Sequence, residues 1–166
     1  TVSSGTSPGS YAVNVTDLAA AQMNASSAPP SASSVLGQGT LTIDIGAWAD
    51  DLSGFTPKAG STSVAISIGP GEDTLEKIRD KINNTSGLGV RATIVNDANG
   101  ARLVMQSRTT GEENGFRVQV SDDDGVSDDD SGLSRLAYDP ENGAGVSLRN
   151  QPGANAKATI NGLPVE

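Results

Sequence analysis

The stretch that decides the fold is DTLEKIRDKINNTSGLGVRATIVNDANGARLVMQS, residues 73–107. Its first part places Leu75, Ile78 and Ile82 at positions i, i+3 and i+7, which is the spacing of the apolar face of an amphipathic helix. The charged residues between them fall mostly on the opposite face. We therefore predict an α-helix over residues 73–84.

Both ends of this helix carry sequence signals. Asp73 has a side chain that can cap the first turn, and Glu76 follows three residues later at capping-box spacing. Asn83, Asn84 and Gly87 tolerate left-handed backbone angles, which is typical of residues at a helix C-terminus. We expect Asp73 to cap the helix and these three residues to end it.

The second part of the stretch predicts a β-hairpin. Residues 90–95 (VRATIV) and 101–107 (ARLVMQS) have the composition of strands. They flank the dipeptide Asn99-Gly100, in which both residues tolerate positive φ, and this is a strong signal for a tight turn.

Further strands are predicted on either side of this unit. In TLTIDI (residues 40–45) three apolar side chains form one face, and Thr42 and Asp44 form the other. STSVAISI (61–68), with Val64, Ile66 and Ile68 inward, and FRVQV (116–120) also have strand patterns. The predicted fold class is therefore α+β, mainly β, with antiparallel sheets and one principal amphipathic helix at about 73–84.

The two ends of the chain predict a second small domain. Tyr11, Val13 and Val15 alternate with small or polar residues as in a half-buried strand at about 10–16, and alternation resumes at about 156–161. SSAPPSASS (26–34) is typical of a linker, so we place a domain boundary near residue 35. Each flanking strand needs a partner, and we expect the remainder of this second domain to lie beyond Glu166.

Composition excludes several classes of function. The chain has 166 residues, a net charge of −9, no cysteine and no histidine. Disulfides, thiolate metal sites, histidine-dependent triads and zinc hydrolase sites are therefore excluded. The negative charge disfavours nucleic acid and anionic membranes as partners, and no apolar run approaches the roughly 20 residues that cross a bilayer. A start at Thr1 without a signal peptide is typical of an excised fragment.

The stretch SDDDGVSDDDSG, residues 121–132, raises the question of a metal site because it holds six aspartates. An EF-hand loop needs acids at positions 1, 3 and 5, glycine at 6 and glutamate at 12, and counting from Asp122 the third acid is replaced by Val126. We predict a solvated loop, with weak cation binding as the alternative. We predict no metal-binding and no cofactor-binding residue.

Trp48 and Phe55 lie in a long predicted loop, GAWADDLSGFTPKAG, residues 46–60. We predict that both rings cover the edge of a small core. The alternative is that they bind a ligand, in which case this loop is the first candidate for a glycan-binding site.

Candidates for catalysis are weak. GTSPG at residues 5–9 matches a nucleophile elbow around Ser7, but no histidine base exists and Pro8 lies in a loop-rich terminus. Glu112 and Glu113 are adjacent in sequence rather than facing each other across a cleft. We therefore predict that the chain is not an enzyme and has no catalytic residue.

Five segments, in order, resemble the head region of the bacterial flagellar cap family, also called flagellar hook-associated protein 2. They are SYAVNVTDLAAAQ (10–22), LGQGTLTIDIG (36–46), the run from DTLEKIRDK to VSDDDG (73–125), LSRLAYDP (133–140) and AKATINGLPVE (156–166). The resemblance covers nearly the whole chain. It implies two head domains: an inserted outer domain at 36–147, and part of the domain that carries it at 1–35 and 148–166.

The resemblance also implies a function. Such proteins form a structural cap at the distal tip of the bacterial flagellar filament, promote flagellin polymerisation and prevent flagellin loss. The expected partners are copies of the protein itself, bound through helical parts largely absent here, and flagellin. The expected location is extracellular, after export through the flagellar secretion channel. The alternative is a surface adhesin that binds host mucin or glycans, as some family members are described to do.

Overall fold

The computed structural model describes residues 10–29, 31–145 and 149–165. In chain order the described helix and strands are β1 (Val13–Asp17), β2 (Met23–Ala25), β3 (Gly39–Trp48), β4 (Phe55–Pro57), β5 (Val64–Ile68), α1 (Leu75–Asn84), β6 (Val90–Asp97), β7 (Gly100–Ser107), β8 (Gly115–Asp122), β9 (Arg149–Gln151), β10 (Lys157–Ile160) and β11 (Leu163–Val165). Short 3₁₀ turns lie at Glu112–Asn114, Gly132–Leu136 and Pro140–Asn142. Ser7 and the domain boundary predicted at residue 147 fall outside the described ranges. No helix within those ranges is long and apolar enough to cross a membrane.

The described strands form three antiparallel sheets, and the predicted α+β, mainly β class is confirmed. In the first sheet, β3 is central: residues 39–43 pair with β5 along one edge and with β8 along the other, and β4 pairs with the end of β3. The second sheet has the order β6-β7-β2-β9, and the third has the order β1-β10-β11. We call the third one the three-stranded sheet.

One apolar core joins the first two sheets, α1 and the 3₁₀ turn at Gly132–Leu136. The predicted helical face, Leu75, Ile78 and Ile82, is fully buried in it. Full burial of such a side chain contributes about 1.5–3 kcal/mol, so these three residues account for much of the helix's attachment. We call these two sheets, α1 and this 3₁₀ turn the packed region.

The predicted cap of α1 is wrong. The helix begins at Leu75 with Thr74 at the N-cap, and no side chain makes a capping hydrogen bond. Instead the backbone of the preceding linker reaches the first turn: Glu76 N donates to the Ala32 carbonyl at 3.2 Å, and Leu36 N donates to the Asp73 carbonyl at 2.8 Å. The Ala32 carbonyl thus accepts the hydrogen bond from Glu76 N that we had predicted for the Asp73 side chain.

The C-terminus of α1 also differs from the prediction, because Asn83 does not end the helix but binds a neighbouring strand. Thr85 is the C-cap, with extended backbone angles, although Gly87 follows with a φ of +75°. The Asn83 side chain accepts from Ala92 N at 2.9 Å and donates to Ala92 O at 2.8 Å. These two hydrogen bonds attach the C-terminal turn of α1 to the backbone of β6.

The predicted hairpin is confirmed, with its turn one residue earlier. Asp97 pairs with Gly100, so Ala98 and Asn99 form the two-residue connection, and Gly100 has a φ of +131°. Asn99 N donates to the Asp97 carboxylate at 2.8 Å. A second hairpin, not predicted, joins β10 to β11 through Asn161 and Gly162, whose φ angles of +51° and +82° are those of a type I′ turn.

Besides β11, three short strands were not predicted. β4 lies inside the predicted loop at 46–60 and pairs Phe55 with Trp48. β2 and β9 lie in the ranges assigned to the carrier domain, yet β2 pairs with both β7 and β9 in the second sheet. The division into an outer and a carrier domain stays a prediction, and β2 and β9 are where its two parts share a sheet.

Asp44, on the face of β3 opposite Leu41 and Ile43, is buried. Its carboxylate accepts hydrogen bonds from Arg117 Nη2 at 3.0 Å and from the Ser63 hydroxyl. Arg117 also lies over the Phe55 ring at 4.9 Å and pairs with Glu141 at 3.7 Å. The outer face of β3 is thus covered by a charged cluster, which the alternation of polar and apolar residues does not predict.

Candidate interaction surfaces

The aspartate stretch contains one buried anchor. Asp122 closes β8, and its Oδ2 accepts from Leu133 N at 2.7 Å and Ser134 N at 3.0 Å. Gly132 has a φ of +48°, and a Cβ there would lie 2.7 Å from the same oxygen. Asp122 therefore caps the 3₁₀ turn that carries Leu133 and Leu136 into the core. The sequence pattern did not assign Leu133 and Leu136 to the core.

Asp129 holds the other end of this loop. Its carboxylate accepts from the Ser134 hydroxyl at 2.7 Å, and from the Ser131 hydroxyl and backbone N at 2.8 and 3.0 Å. The Ser134 hydrogen bond, followed by those from Ser131, lowers the pKa of the Asp129 carboxyl below its usual value. The four other aspartates of the stretch, Asp123, Asp124, Asp128 and Asp130, are exposed.

The described residues contain no group of three or more carboxylate, histidine or cysteine side chains placed to hold a metal ion. The predicted solvated loop thus fits the four exposed aspartates and does not fit Asp122. The difference arises because Asp122 is the last residue of a strand, which directs its side chain into the protein.

Trp48 covers the edge of the core, as predicted. Its ring meets Phe55 and Tyr138 edge to face, with centroids 4.8 and 5.5 Å away, and its Nε1 donates to the Phe116 carbonyl at 3.0 Å. Beside it lies a cleft of about 270 Å³, whose other walls include Asp50, Glu112 and the backbone at 152–154. Glu112 and Glu113 are exposed in a 3₁₀ turn. The ring is therefore half-buried and fixed by three contacts.

Gln22 is a structural residue that the sequence did not reveal. It is buried, its Nε2 donates to the Phe116 carbonyl at 2.8 Å, and its Oε1 accepts from Phe116 N at 2.9 Å. The Gln22 amide thus pairs with β8 as a neighbouring strand would and joins the first two sheets. Asn24 and Ser26 are also buried, whereas Met23, between Gln22 and Asn24, is 38% exposed. This polar-inward alternation is the reverse of the usual pattern.

The three-stranded sheet presents an apolar face to solvent. Val13 pairs with Ile160, which pairs with Leu163, and Val15 pairs with Ala158, which pairs with Val165. Directly paired residues, and residues two apart on one strand, share a face, so these six side chains form one surface. Val13, Val15 and Leu163 are 63%, 56% and 70% exposed. The predicted strands are confirmed, but the predicted half-burial of Tyr11, Val13 and Val15 is wrong.

Comparison with known proteins identifies the family. Residues 55–109 match the family model described as the Flagellin hook IN motif. The chain is 33% identical over 162 residues to the B-type flagellar hook-associated protein 2 of Pseudomonas aeruginosa, covering 93% of this chain and 31% of that protein. It shares a TM-score of 0.73 and 31% identity with the crystal structure of FliD (HAP2) from Pseudomonas aeruginosa PAO1, covering 99% of this chain and 68% of that one. The chain belongs to the flagellar hook-associated protein 2 family.

A second FliD structure places the chain within this family. The crystal structure of the flagellar cap protein FliD D2-D3 domains from Escherichia coli matches with a TM-score of 0.74 at 27% identity, over 100% of this chain and 76% of that one. The Flagellin hook IN match runs from β4 through α1 to β7, and so includes the stretch that decides the fold. The chain spans about a third, 31%, of the length of its curated Pseudomonas aeruginosa relative.

Proposed function

We propose that this chain is the head segment of a structural cap at the distal tip of a bacterial flagellar filament. In this proposal the complete protein promotes flagellin polymerisation and prevents flagellin loss. The observation that carries the proposal is the match to FliD over 99% of the chain at 31% identity and a TM-score of 0.73. The absence of histidine and cysteine from the sequence adds support for a structural rather than catalytic role.

The proposal also assigns partners and a location. The complete protein is exported through the flagellar secretion channel and acts outside the cell. Its partners are copies of itself, contacted through parts that lie mostly outside this chain, and flagellin. Neither nucleic acid nor a membrane is a partner in this proposal, which agrees with the net charge of −9.

We propose the same two-domain division as above, with residues 36–147 as the outer domain and residues 1–35 and 148–166 as part of its carrier. The apolar face of the three-stranded sheet supports a carrier domain that extends beyond this chain. Six apolar side chains on one exposed face are typical of a surface that another segment covers.

A glycan-binding adhesin is the second candidate, and the cleft beside Trp48 is the observation that favours it. Trp48, Asp50 and Glu112 offer one aromatic ring and two carboxylates, a combination that can bind sugar hydroxyls. The Trp48 ring, however, already packs on Phe55 and Tyr138. Saturable mucin glycan binding that is lost in Trp48→Ala, with folding retained, is required for this role.

Immunogold electron microscopy of the flagellated source organism tests the cap proposal. Antibodies raised against this chain are expected to label filament tips. Label spread over the cell surface, with bare tips, would overturn the cap proposal and favour the adhesin. A strain lacking the gene provides the control for antibody specificity.

A further inference from the structure

The outer edge of β5 is open, whereas two other strand edges in the packed region are covered by side chains. At β6, the Asn83 side chain binds both the backbone N and the backbone O of Ala92. At β8, the Gln22 amide binds both backbone groups of Phe116. In each case a side-chain amide occupies groups that would otherwise pair with another strand.

The hydrogen bonds of the neighbouring strands fix the direction of the β5 backbone. Val118 of β8 exchanges two hydrogen bonds with Tyr138, at 3.0 and 2.8 Å, so its N–H and C=O point away from β3. Its partner in β3, Ile43, therefore points away from β8 and towards β5, where it pairs with Val64. Because the direction alternates along a strand, every second residue of β5 points away from β3, to the outer edge.

The two outward-pointing residues of β5 are Ala65 and Ser67, and both are exposed. Within the described part of the chain, no residue forms a hydrogen bond with their backbone groups. The next outward group, Gly69 N, donates to the Glu72 carboxylate at 3.1 Å, which closes one end of the edge. The strand itself, VAISI, has no charge, proline or bulge, which are the features that protect many edge strands. The edge therefore offers two N–H and two C=O groups to an added strand.

We propose that β5 of a second copy of this chain pairs with this edge, antiparallel and about a twofold axis at Ile66. In that register Ala65 of each copy lies opposite Ser67 of the other, so four backbone hydrogen bonds form between identical surfaces. The pairing joins the first sheets of two copies into one continuous sheet. It goes beyond the proposed cap function, because this chain makes the contact by itself and neither proposal depends on the other.

Charge and side-chain size favour a second copy as the occupant. The chain has a net charge of −9, so two copies repel each other unless they meet at a neutral part of the surface. Residues 59–71, which include β5 and the turns on both sides of it, contain no charged residue. Ala65 and Ser67 have small side chains, so two backbones can approach to the strand spacing of about 4.7–4.9 Å.

Amide hydrogen exchange, followed by nuclear magnetic resonance at about 0.05 mM and about 2 mM protein, tests the pairing residue by residue. The contact is small, so we expect a dissociation constant of about 0.1–1 mM. The Ala65 and Ser67 amides should exchange at least about twofold more slowly in the concentrated sample. The Ile66 and Ile68 amides, which point towards β3, should exchange at the same rate in both samples.

A proline and a valine at the same position separate backbone pairing from side-chain bulk. Ala65→Pro removes one N–H donor from each copy and should weaken dimerisation at least about tenfold in sedimentation equilibrium. Ala65→Val is the matched control: it adds similar bulk, keeps the N–H and should change the dissociation constant less than about threefold. Since Ala65 N does not pair with β3, the proline should leave the fold intact, which circular dichroism verifies.

Two results would overturn the pairing. Exchange at Ala65 and Ser67 that is independent of concentration means either that no strand is added or, if it is slow throughout, that another segment of the same chain covers the edge. An equal effect of Ala65→Pro and Ala65→Val would place any dimer contact elsewhere, for instance on the apolar face of the three-stranded sheet. If Ala65→Pro does not fold, the exchange rates of the unchanged chain decide alone.

Discussion

Leu103 and Leu163 both lie on short strands with alternating sequence, and their environments are opposite. Leu103, in β7 of the packed region, is 0% exposed, whereas Leu163, in β11 of the three-stranded sheet, is 70% exposed. Alternation therefore predicts that a strand has an apolar face, and not that anything covers it. Cover is a property of the surrounding chain.

The cover in the packed region comes from distant segments. Helix α1 and the 3₁₀ turn at Gly132–Leu136 join the two larger sheets in one core. No residue of the three-stranded sheet belongs to that core as described. The link between the two regions is instead polar and backbone-based, with Ala20 paired to Ala154 and Glu112 N donating to the Asn155 side chain at 3.0 Å.

The largest difference is expected when the same substitution, leucine to alanine, is made once in each region. Leu103→Ala should lower the free energy of unfolding by about 2–5 kcal/mol, because it leaves a cavity in a closed core. Leu163→Ala should change it by less than about 0.5 kcal/mol, because the side chain is already in water. Urea unfolding followed by circular dichroism measures both. Equal losses of stability would show that the apolar face of the three-stranded sheet is buried when the protein is in solution, for instance between two copies of the chain.

A smaller effect is expected at a polar pair of positions, one in each region. Asp122→Ala leaves Leu133 N and Ser134 N buried without their acceptor and should cost about 1–3 kcal/mol. Asp17→Ala, in exposed β1, removes the same charge and should change the stability by less than about 0.5 kcal/mol. The same urea titrations provide the values. If both substitutions lowered the free energy of unfolding by a similar amount, the loss would come from the change in net charge and not from the missing cap.

The parts of the fold that the sequence predicts are those set by local periodicity. The burial of Leu75, Ile78 and Ile82 follows from helical spacing, and the β6-β7 hairpin follows from its two strand patterns and the Asn99-Gly100 signal. β2 could not be predicted this way. Its inward residues are polar because Gln22 and Asn24 bind one another and Gln22 binds β8, far away in sequence.

Some features of the candidate surfaces could likewise be predicted from the sequence, and others could not. The position of Trp48 over the core edge was predicted, although its segment was predicted as a loop and Trp48 is the last residue of β3. The burial of Asp122 and Asp139 was not predicted, because each is held by backbone or side-chain groups that meet it only after folding. The β10-β11 hairpin is the exception, since Asn161-Gly162 is a local signal that was present in the sequence and not used.

The last expected effect is confined to alkaline pH and uses the two tyrosines of the chain, Tyr138 in the packed region and Tyr11 beside the three-stranded sheet. Burial raises the pKa of Tyr138 to about 12. The pKa of tyrosine in an unfolded chain is about 10, so the neutral Tyr138 phenol contributes its full stability below about pH 10. That contribution is lost as the pH rises through about 12, because the unfolded chain gives up its proton first.

Ultraviolet absorbance of tyrosinate, recorded with stability across this alkaline range, separates the two tyrosines. Tyr138→Phe should abolish the absorbance step near pH 12 and flatten the fall in stability above about pH 10. Tyr11→Phe, at a site that is exposed, should leave both in place. If Tyr11→Phe removed the late step instead, Tyr11 would be the covered ring in solution. That result would mean that Tyr11 is buried and Tyr138 is accessible, which contradicts the contrast between the packed region and the three-stranded sheet.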